Sequence, residues 1–403
     1  MRSMVLIVPL AAAIATPALA AEIAEADVML KTEIEAFGVT HGLTPVALPD
    51  SSGGLAMALG DERTGATGAV ELQPGEYTLL VRAWAPAGDQ DGFFVDIRNK
   101  RTRRVAPGQQ WTAMAYNFTV EKEEVVTLAI VGQETGLTVD QIAVVRGTYK
   151  DREVKFADLP GETAGKGQVA LEDLPRLVSH CSLREVPDAP FEEDESTVFH
   201  ESFDDDVTGA VGDHSQVEGK FGAGLYLQTP DGRFDVDASD LGLGPVGTIE
   251  YWVRPRPAQR LWHDQGWHYF LHCGPAEAGG FQLDLSRHPK TQLRLTATMG
   301  GQPYHLDAKP SEHVQLSTSK ADLEAWHHLL VSWDLTGERQ YLWLLFDGAG
   351  VQLFFEPCFE ASSFSKIEVA NTPSGWEVPF LPIDGAIDEL RISNVSVADR
   401  LAD

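Results

Sequence analysis

Hydrophobic residues along this chain fall in short β-branched and aromatic runs, cut by Gly, Pro and Asp. GEYTLLVRAWA (75–85), GFFVDIR (92–98) and EVVTLAIVG (124–132) are three of them. GTIEYWVRP (247–255), GFQLDL (280–285), TQLRLTA (291–297), AWHHLLVSWD (325–334) and QYLWLLFDG (340–348) follow in the second half. Each is strand-length, so the pattern predicts strands nearly throughout. In QYLWLLFDG, Leu342, Leu344 and Phe346 mark one face and Tyr341, Trp343 and Leu345 the other. A strand apolar on both faces is covered on both, as in the centre of two stacked sheets. Asp347-Gly348 then closes a tight hairpin turn. The fold class that follows is all-β, with two β-sandwich (jelly-roll) domains.

The stretch 151–195 breaks the pattern. It carries Pro160, Pro175, Pro187 and Pro190, ends in the acidic run FEEDE, and holds one candidate short helix, ALEDLPRLVSHC. It reads as a partly ordered linker. The chain of 403 residues therefore divides into a β domain over 21–150, the linker, and a second β domain over 196–403. Residues 1–20 combine Arg2, an apolar run and Ala18-Leu19-Ala20, the layout of a cleaved signal peptide. The apolar run is too short to span a bilayer and Pro17 interrupts it. The expected location is outside the cytoplasm: secreted, periplasmic or on the cell surface.

Charge narrows the partners. The formal net charge is −29, and a field of that sign repels phosphate backbones, which argues against nucleic acid. It also disfavours sulfated or uronate polymers, unless calcium or a local basic patch intervenes. The three cysteines, Cys181, Cys273 and Cys358, are too few for a disulfide scaffold. A Cys273–Cys358 bridge and three buried thiols both remain open.

In the first half, EADVML (25–30), SSGGLAM (51–57), PGEYTLLVRAWA (74–85), the lone Trp of GQQWTAM (108–114) and LTVDQIAVV (137–145) occur in that order. The half resembles carbohydrate-binding modules of families 6 and 35, which have a galactose-binding-like jelly roll. The resemblance implies a structural calcium held by Glu25, Asp27 and Asp140, although the chain has EAD where the family has EAE. Calcium takes several oxygen ligands, so carboxylates from both chain ends would tie the termini to the sandwich. The resemblance also implies a sugar-binding ring at Trp111, with Tyr116 or Trp84 as a second surface. The C–H bonds of a pyranose stack on such a ring while polar neighbours bond its hydroxyls. Trp84 shares a strand face with Leu80 and Arg82, and simple packing explains it equally.

In the second half, FDDD (203–206), GKFGAGLYL (219–227), GTIEYWVRP, WHHLLVSWD (326–334) and DGAIDELRIS (384–393) resemble the laminin-G-like, concanavalin A-like lectin/glucanase domains. The last stretch raises a choice. Asp384, Asp388 and Glu389 are the material of a glycosidase or of a calcium site. A glycosidase of this class carries its carboxylates on one strand as E-x-D-x-x-E, and no stretch reads that way. The resemblance instead implies calcium between Asp388 and an acidic residue near the first strand, such as Asp204. The resemblance also implies that His327 and His328 belong to a structural strand and are packed core residues. His268 and His272 share a face if their strand is regular, and could hold a metal or belong to an aromatic loop.

The leading functional expectation is a non-catalytic protein that binds a polysaccharide or other glycan, with calcium as structural cofactor and partner enzymes acting on the same polymer. One alternative is a glycoside hydrolase or polysaccharide lyase using the concave face of the second domain. Glu250 and Asp284 are then the carboxylates to test, and Tyr269, His268 and Arg287 the lyase candidates. The other is an adhesion or surface-scaffold protein.

Overall fold

Alternation becomes architecture first in the strand Thr138–Arg146. Its residues Val139, Ile142 and Val144 are buried in one cluster and Ala143 and Val145 in another, so this strand is covered on both faces. The computed structural model describes residues 23–402 outside 53–54, 61–63, 87–91, 99, 107, 134, 161–167, 171–173, 175, 206, 228–231, 256–267, 278–279, 289–291, 300–310, 319–324, 361–362 and 371–384.

Strand Thr138–Arg146 sits within a six-stranded sheet beside Gly75–Trp84, which pairs in turn with Thr112–Val120; the first strand, Val28–Glu33, pairs with it as well. A five-stranded sheet, ordered Val39–His41, Gly65–Leu72, Glu124–Gly132, Gly92–Ile97 and Lys100–Val105, lies against it. Leu30, Leu79, Val81, Phe93, Leu128 and Ile130 fill the space between the two. All these pairings are antiparallel.

The second half builds a nine-stranded and a seven-stranded sheet around one core that includes Tyr251, Leu285, Trp333, Leu344, Ile367 and Ile392. In the larger sheet, Val246–Pro255 lies between His327–Asp334 and Gly385–Ser393. The expected central strand, Gln340–Phe346, pairs on both sides. Leu342, Leu344 and Phe346 face the core, while Trp343 and Leu345 are buried on the opposite face by Leu183 and Val397. Asp347 and Gly348 both have positive φ, 50° and 77°, the conformation a two-residue hairpin turn requires.

The second half of the candidate helix in ALEDLPRLVSHC is not helical. Arg176–Ser182 is a strand, paired antiparallel with Ala349–Phe355 at the edge of the nine-stranded sheet. The free hydrogen-bonding edge of that distant strand outweighs a weak local helical preference. The start of the linker is also docked. Val154, Phe156 and Leu159 pack with Leu80, Ala113, Ala115, Ala143 and Val145 on the outer face of the six-stranded sheet. Among the described residues no helix is long and apolar enough to cross a membrane. The three cysteines are free thiols.

Candidate functional site

On that outer face, Arg82 follows Leu80 by two residues and points the same way, as alternation requires. Its guanidinium ion-pairs with the Asp140 carboxylate and donates to the Asp50 carbonyl at 2.6 Å. So fixed, it lies over the Trp111 ring, 4.7 Å from the centroid. The Trp111 indole Nε1 donates to the Pro49 carbonyl at 2.9 Å. Two constraints thus hold the ring at the side of a cleft of about 590 Å³. Lys31, Ser52, Gln110, Gln141, Arg152 and Lys155 complete much of its polar lining. The linker supplies one wall, tethered where Lys31 Nζ donates to the Leu159 carbonyl at 3.0 Å.

The other two expected rings are not in this cleft. Tyr116 is 6% exposed; it shares the inward parity of Met114 and packs edge-on to Phe93 in the core. Burial pushes its hydroxyl far above the ordinary range, the Asp151 charge adding to this and Arg104 opposing it. Trp84 is half-buried at the end of its strand and does not line the cleft. What the sequence reading missed is Arg82, whose position two residues before Trp84 on one strand face was the available signal.

The implied calcium ligands of the first half do not converge. Val28 pairs with Val145 and Glu33 with Gln141. Glu25 and Asp27 precede Val28, while Asp140 lies beyond Gln141, so strand rise separates them by about 17 Å. Asp140 is fully buried and accepts from the Ser52 amide at 3.0 Å, with Arg82 as its resident cation. Burial raises its pKa against those two partners.

In the second half Asp204 and Asp388 do meet, at one turn, by gripping its backbone. Asp388 accepts from the amides of Lys220 at 2.7 Å, Phe221 at 2.9 Å and Glu389 at 3.0 Å. Asp204 accepts from the Ala223 amide at 2.7 Å. Amide donors point where a cation would bind, so the arrangement fits hydrogen-bonded anchoring and not calcium. Gly219 is required there, since a Cβ on it would lie 2.6 Å from Asp388 Oδ2. Among the described residues no group of three or more His, Cys, Asp or Glu is placed to hold a metal. Asp384 lies outside the described residues. Glu389 adopts φ 51° at a bulge where Glu250 pairs with Arg391 and Trp252 with Asp388. It accepts from the Phe191 amide at 2.9 Å and lies 3.0 Å from His200 Nε2.

Glu250 and Asp284 sit on different sheets, so they are not a catalytic pair. Glu250 is fully buried. It receives Arg391 at 2.6 Å, Arg400 at 2.7 Å and His328 Nε2 at 3.1 Å. Burial alone would raise its pKa; the hydrogen bonds and charges of His328 and Arg400 override that and hold it well below the usual carboxylate range. His328 is thereby structural. His327 is too: Nδ1 lies 2.7 Å from Asp347 and its ring stacks on Phe346.

The proposed same-face pair His268 and His272 is split by another bulge. His268 pairs with Arg287 but His272 with Asp284, with a register shift between Tyr269 and Leu271. His268 therefore takes the parity of core Leu271 and Leu285, and His272 faces outward. There a row runs across the seven-stranded sheet through direct partners: Asp235, Glu368, His272, Asp284 and Thr296. His272 Nδ1 lies 2.6 Å from Asp284 Oδ1, and Gln282 Nε2 donates to Asp284 Oδ2 at 2.5 Å. Lys366 Nζ bridges Glu368 at 2.8 Å and Asp235 at 2.9 Å. The alternation of Lys366 and Glu368 with Ile367 and Val369 was the sequence signal for the two charged residues.

No family model matches the chain, and no curated protein matches it. Several solved structures are similar to it over part of its length, among them the following. The cycloalternan-forming enzyme of Listeria monocytogenes, with bound pentasaccharide substrate, is 18% identical over 29% of this chain and 12% of that one, with TM-score 0.25. The exo-β-1,3-galactanase of Phanerochaete chrysosporium is 15% identical over 28% of each chain, TM-score 0.25. The botulinum neurotoxin serotype G binding domain is 12% identical over 54% of this chain and 47% of that one, TM-score 0.32. The matched part thus spans well under two thirds of each of these chains.

Proposed function

We propose that this is an exported glycan-binding protein whose first sandwich holds sugar at the Trp111 cleft, in keeping with the resemblance of that half to carbohydrate-binding modules. One observation carries the reading: Trp111 is locked by the Pro49 carbonyl and the Arg82 stack beside a cleft rich in hydrogen-bonding side chains. Arg82 covers one face of the indole, which leaves the other for the C–H bonds of a pyranose. The ring loses little freedom on binding because it is already ordered, and that lowers the entropic cost of capture. Ser52, Gln110, Gln141 and Lys31 offer donors and acceptors to hydroxyls. The lectin-like second half would add a further contact to one polymer and so raise avidity.

Affinity electrophoresis against a panel of polysaccharides tests this. Retention by at least one is expected, and Trp111→Ala should weaken it about thirtyfold, the loss of a hot-spot ring worth about 2 kcal/mol. Retention unchanged by that substitution would place the sugar elsewhere.

A further inference from the structure

The row on the seven-stranded sheet has chemistry that sugar binding at Trp111 does not use. Glu368 is 1% exposed and Asp284 7%, and burying charge on the outer face of a sheet is costly unless something requires it. Asp284 is clamped by Gln282 and receives His272 Nδ1. That fixes the imidazole tautomer and leaves the lone pair on Nε2, the arrangement of an oriented base. Nε2 has no hydrogen-bond partner among the described residues. It lies 3.5 Å from where a Cβ on Gly274 would stand. Gly274, the next outward-facing position on the strand, thus leaves a notch directly beside the base.

We propose that His272, positioned by Asp284, is the general base of a second site that hydrolyses an acyl ester on a neutral polyhydroxylated compound. The neighbours select this chemistry. Acetal cleavage needs a carboxylic acid positioned to protonate the leaving oxygen, but Asp284 is engaged as an acceptor by His272 and Gln282 and Glu368 by Lys366, and neither is turned toward the notch as a donor. Elimination from a uronate needs a positive environment for the sugar carboxylate. Around His272 and Gly274, however, the four carboxylates Asp235, Asp237, Asp284 and Glu368 outnumber the two cations Lys366 and Arg233, and both cations are already paired with them, which disfavours an anion. For an ester, water gives its proton to Nε2 as its oxygen bonds to the acyl carbon. The tetrahedral intermediate collapses with cleavage of the carbon–alkoxide bond, and the imidazolium returns the proton to the departing oxygen. A carboxylic acid and a free hydroxyl result, and His272 is regenerated. The inference rests on the glycan reading only for the identity of the carrier.

The test is acetate release from a chemically O-acetylated neutral polysaccharide by the full chain, as a function of pH. Release is expected, with a rate that falls in acid as general-base catalysis requires. His272→Ala should lower the rate at least about a hundredfold. His272→Gln, which keeps a donor for Asp284, should lower it equally while preserving the melting temperature. Asp284→Asn should lower kcat with little change in KM, because the imidazole loses the acceptor that orients it; a merely structural residue would leave kcat as it is in protein that stays folded. Retention of the polysaccharide without acetate release at any pH overturns the ester proposal and leaves sugar binding intact. Release without retention overturns the Trp111 reading alone. A His272→Gln protein with the wild-type rate also overturns the proposal.

Discussion

Glu250, on the outer face of the nine-stranded sheet, and Asp284, on the outer face of the seven-stranded one, are both acidic residues buried in the same sandwich. Their partners differ. Glu250 is surrounded by Arg391, Arg400 and His328, and every one of these contacts ends on it. Asp284 accepts from His272 Nδ1, and Nε2 of that ring, with no hydrogen-bond partner among the described residues, stands beside a notch. The difference is one of access: the unpaired Nδ1 of His328 is sealed inside the protein, whereas His272 is in part exposed, so only the second can exchange a proton with a molecule from solution. Asp388 is a third case, gripped by backbone amides. Burial there outweighs the amides, the Glu389 charge adds to it, and the carboxyl is pushed up to about 7.

The largest effect expected is at Glu250. Glu250→Ala takes the buried counter-charge from the half-buried Arg391 and Arg400 and from buried His328; breaking a fully buried network costs about 3–5 kcal/mol, and the solvent access of Arg400 places this loss toward the lower end. Urea-unfolding midpoints measure it. Asp284→Ala should cost clearly less, since it takes a partner from one histidine and one glutamine and not from two guanidinium groups; equal losses would make the two sites alike. Asp388 gives the next effect, through pH. Its folded pKa lies above the unfolded value, so its contribution is full below the unfolded pKa and is lost as pH rises from about 4 to about 7. Asp388→Asn should flatten the stability profile of the second sandwich over that window. Glu250 has the opposite sign: its stabilisation is present at neutral pH and lost only in strong acid.

Much of this organisation was legible in the sequence because alternation is local. Strand Gln340–Phe346 announced its two buried faces, Asp347-Gly348 its turn, and Glu124–Gly132 its limits. What escaped depends on distant partners or on single-residue slips. Arg176–Ser182 became a strand because Ala349–Phe355, far along the chain, offered it an edge. The bulge between Tyr269 and Leu271 moved His268 to the inner face and left His272 outside, and a shift of one residue exchanges the faces of everything beyond it. Trp111 was visible as a lone aromatic in a Gly/Gln turn. Arg82, which holds it, was visible only as a strand residue, because the contact depends on the folding of the loop that carries Pro49 and Asp50.

The smallest expected effect concerns calcium, and it tests whether the acidic ends cohere through cations or through hydrogen bonds. In the first sandwich, Arg82 already supplies the positive charge beside Asp140, and Glu25 and Asp27 lie at the far end of the strand pairing. In the second, Asp204 and Asp388 bind the 219–223 turn through its amides. EDTA should therefore leave the melting of the full chain unshifted, since the clip between first and last strands persists without a divalent ion. A fall in melting temperature that excess calcium reverses would show instead that the turn rearranges, turning carbonyls toward an ion in place of amides. Asp388→Asn separates the two: it keeps one acceptor for the amides and removes the charge. An EDTA shift abolished by that substitution would locate the ion at the turn, and a shift that survives it would locate the ion elsewhere in the chain.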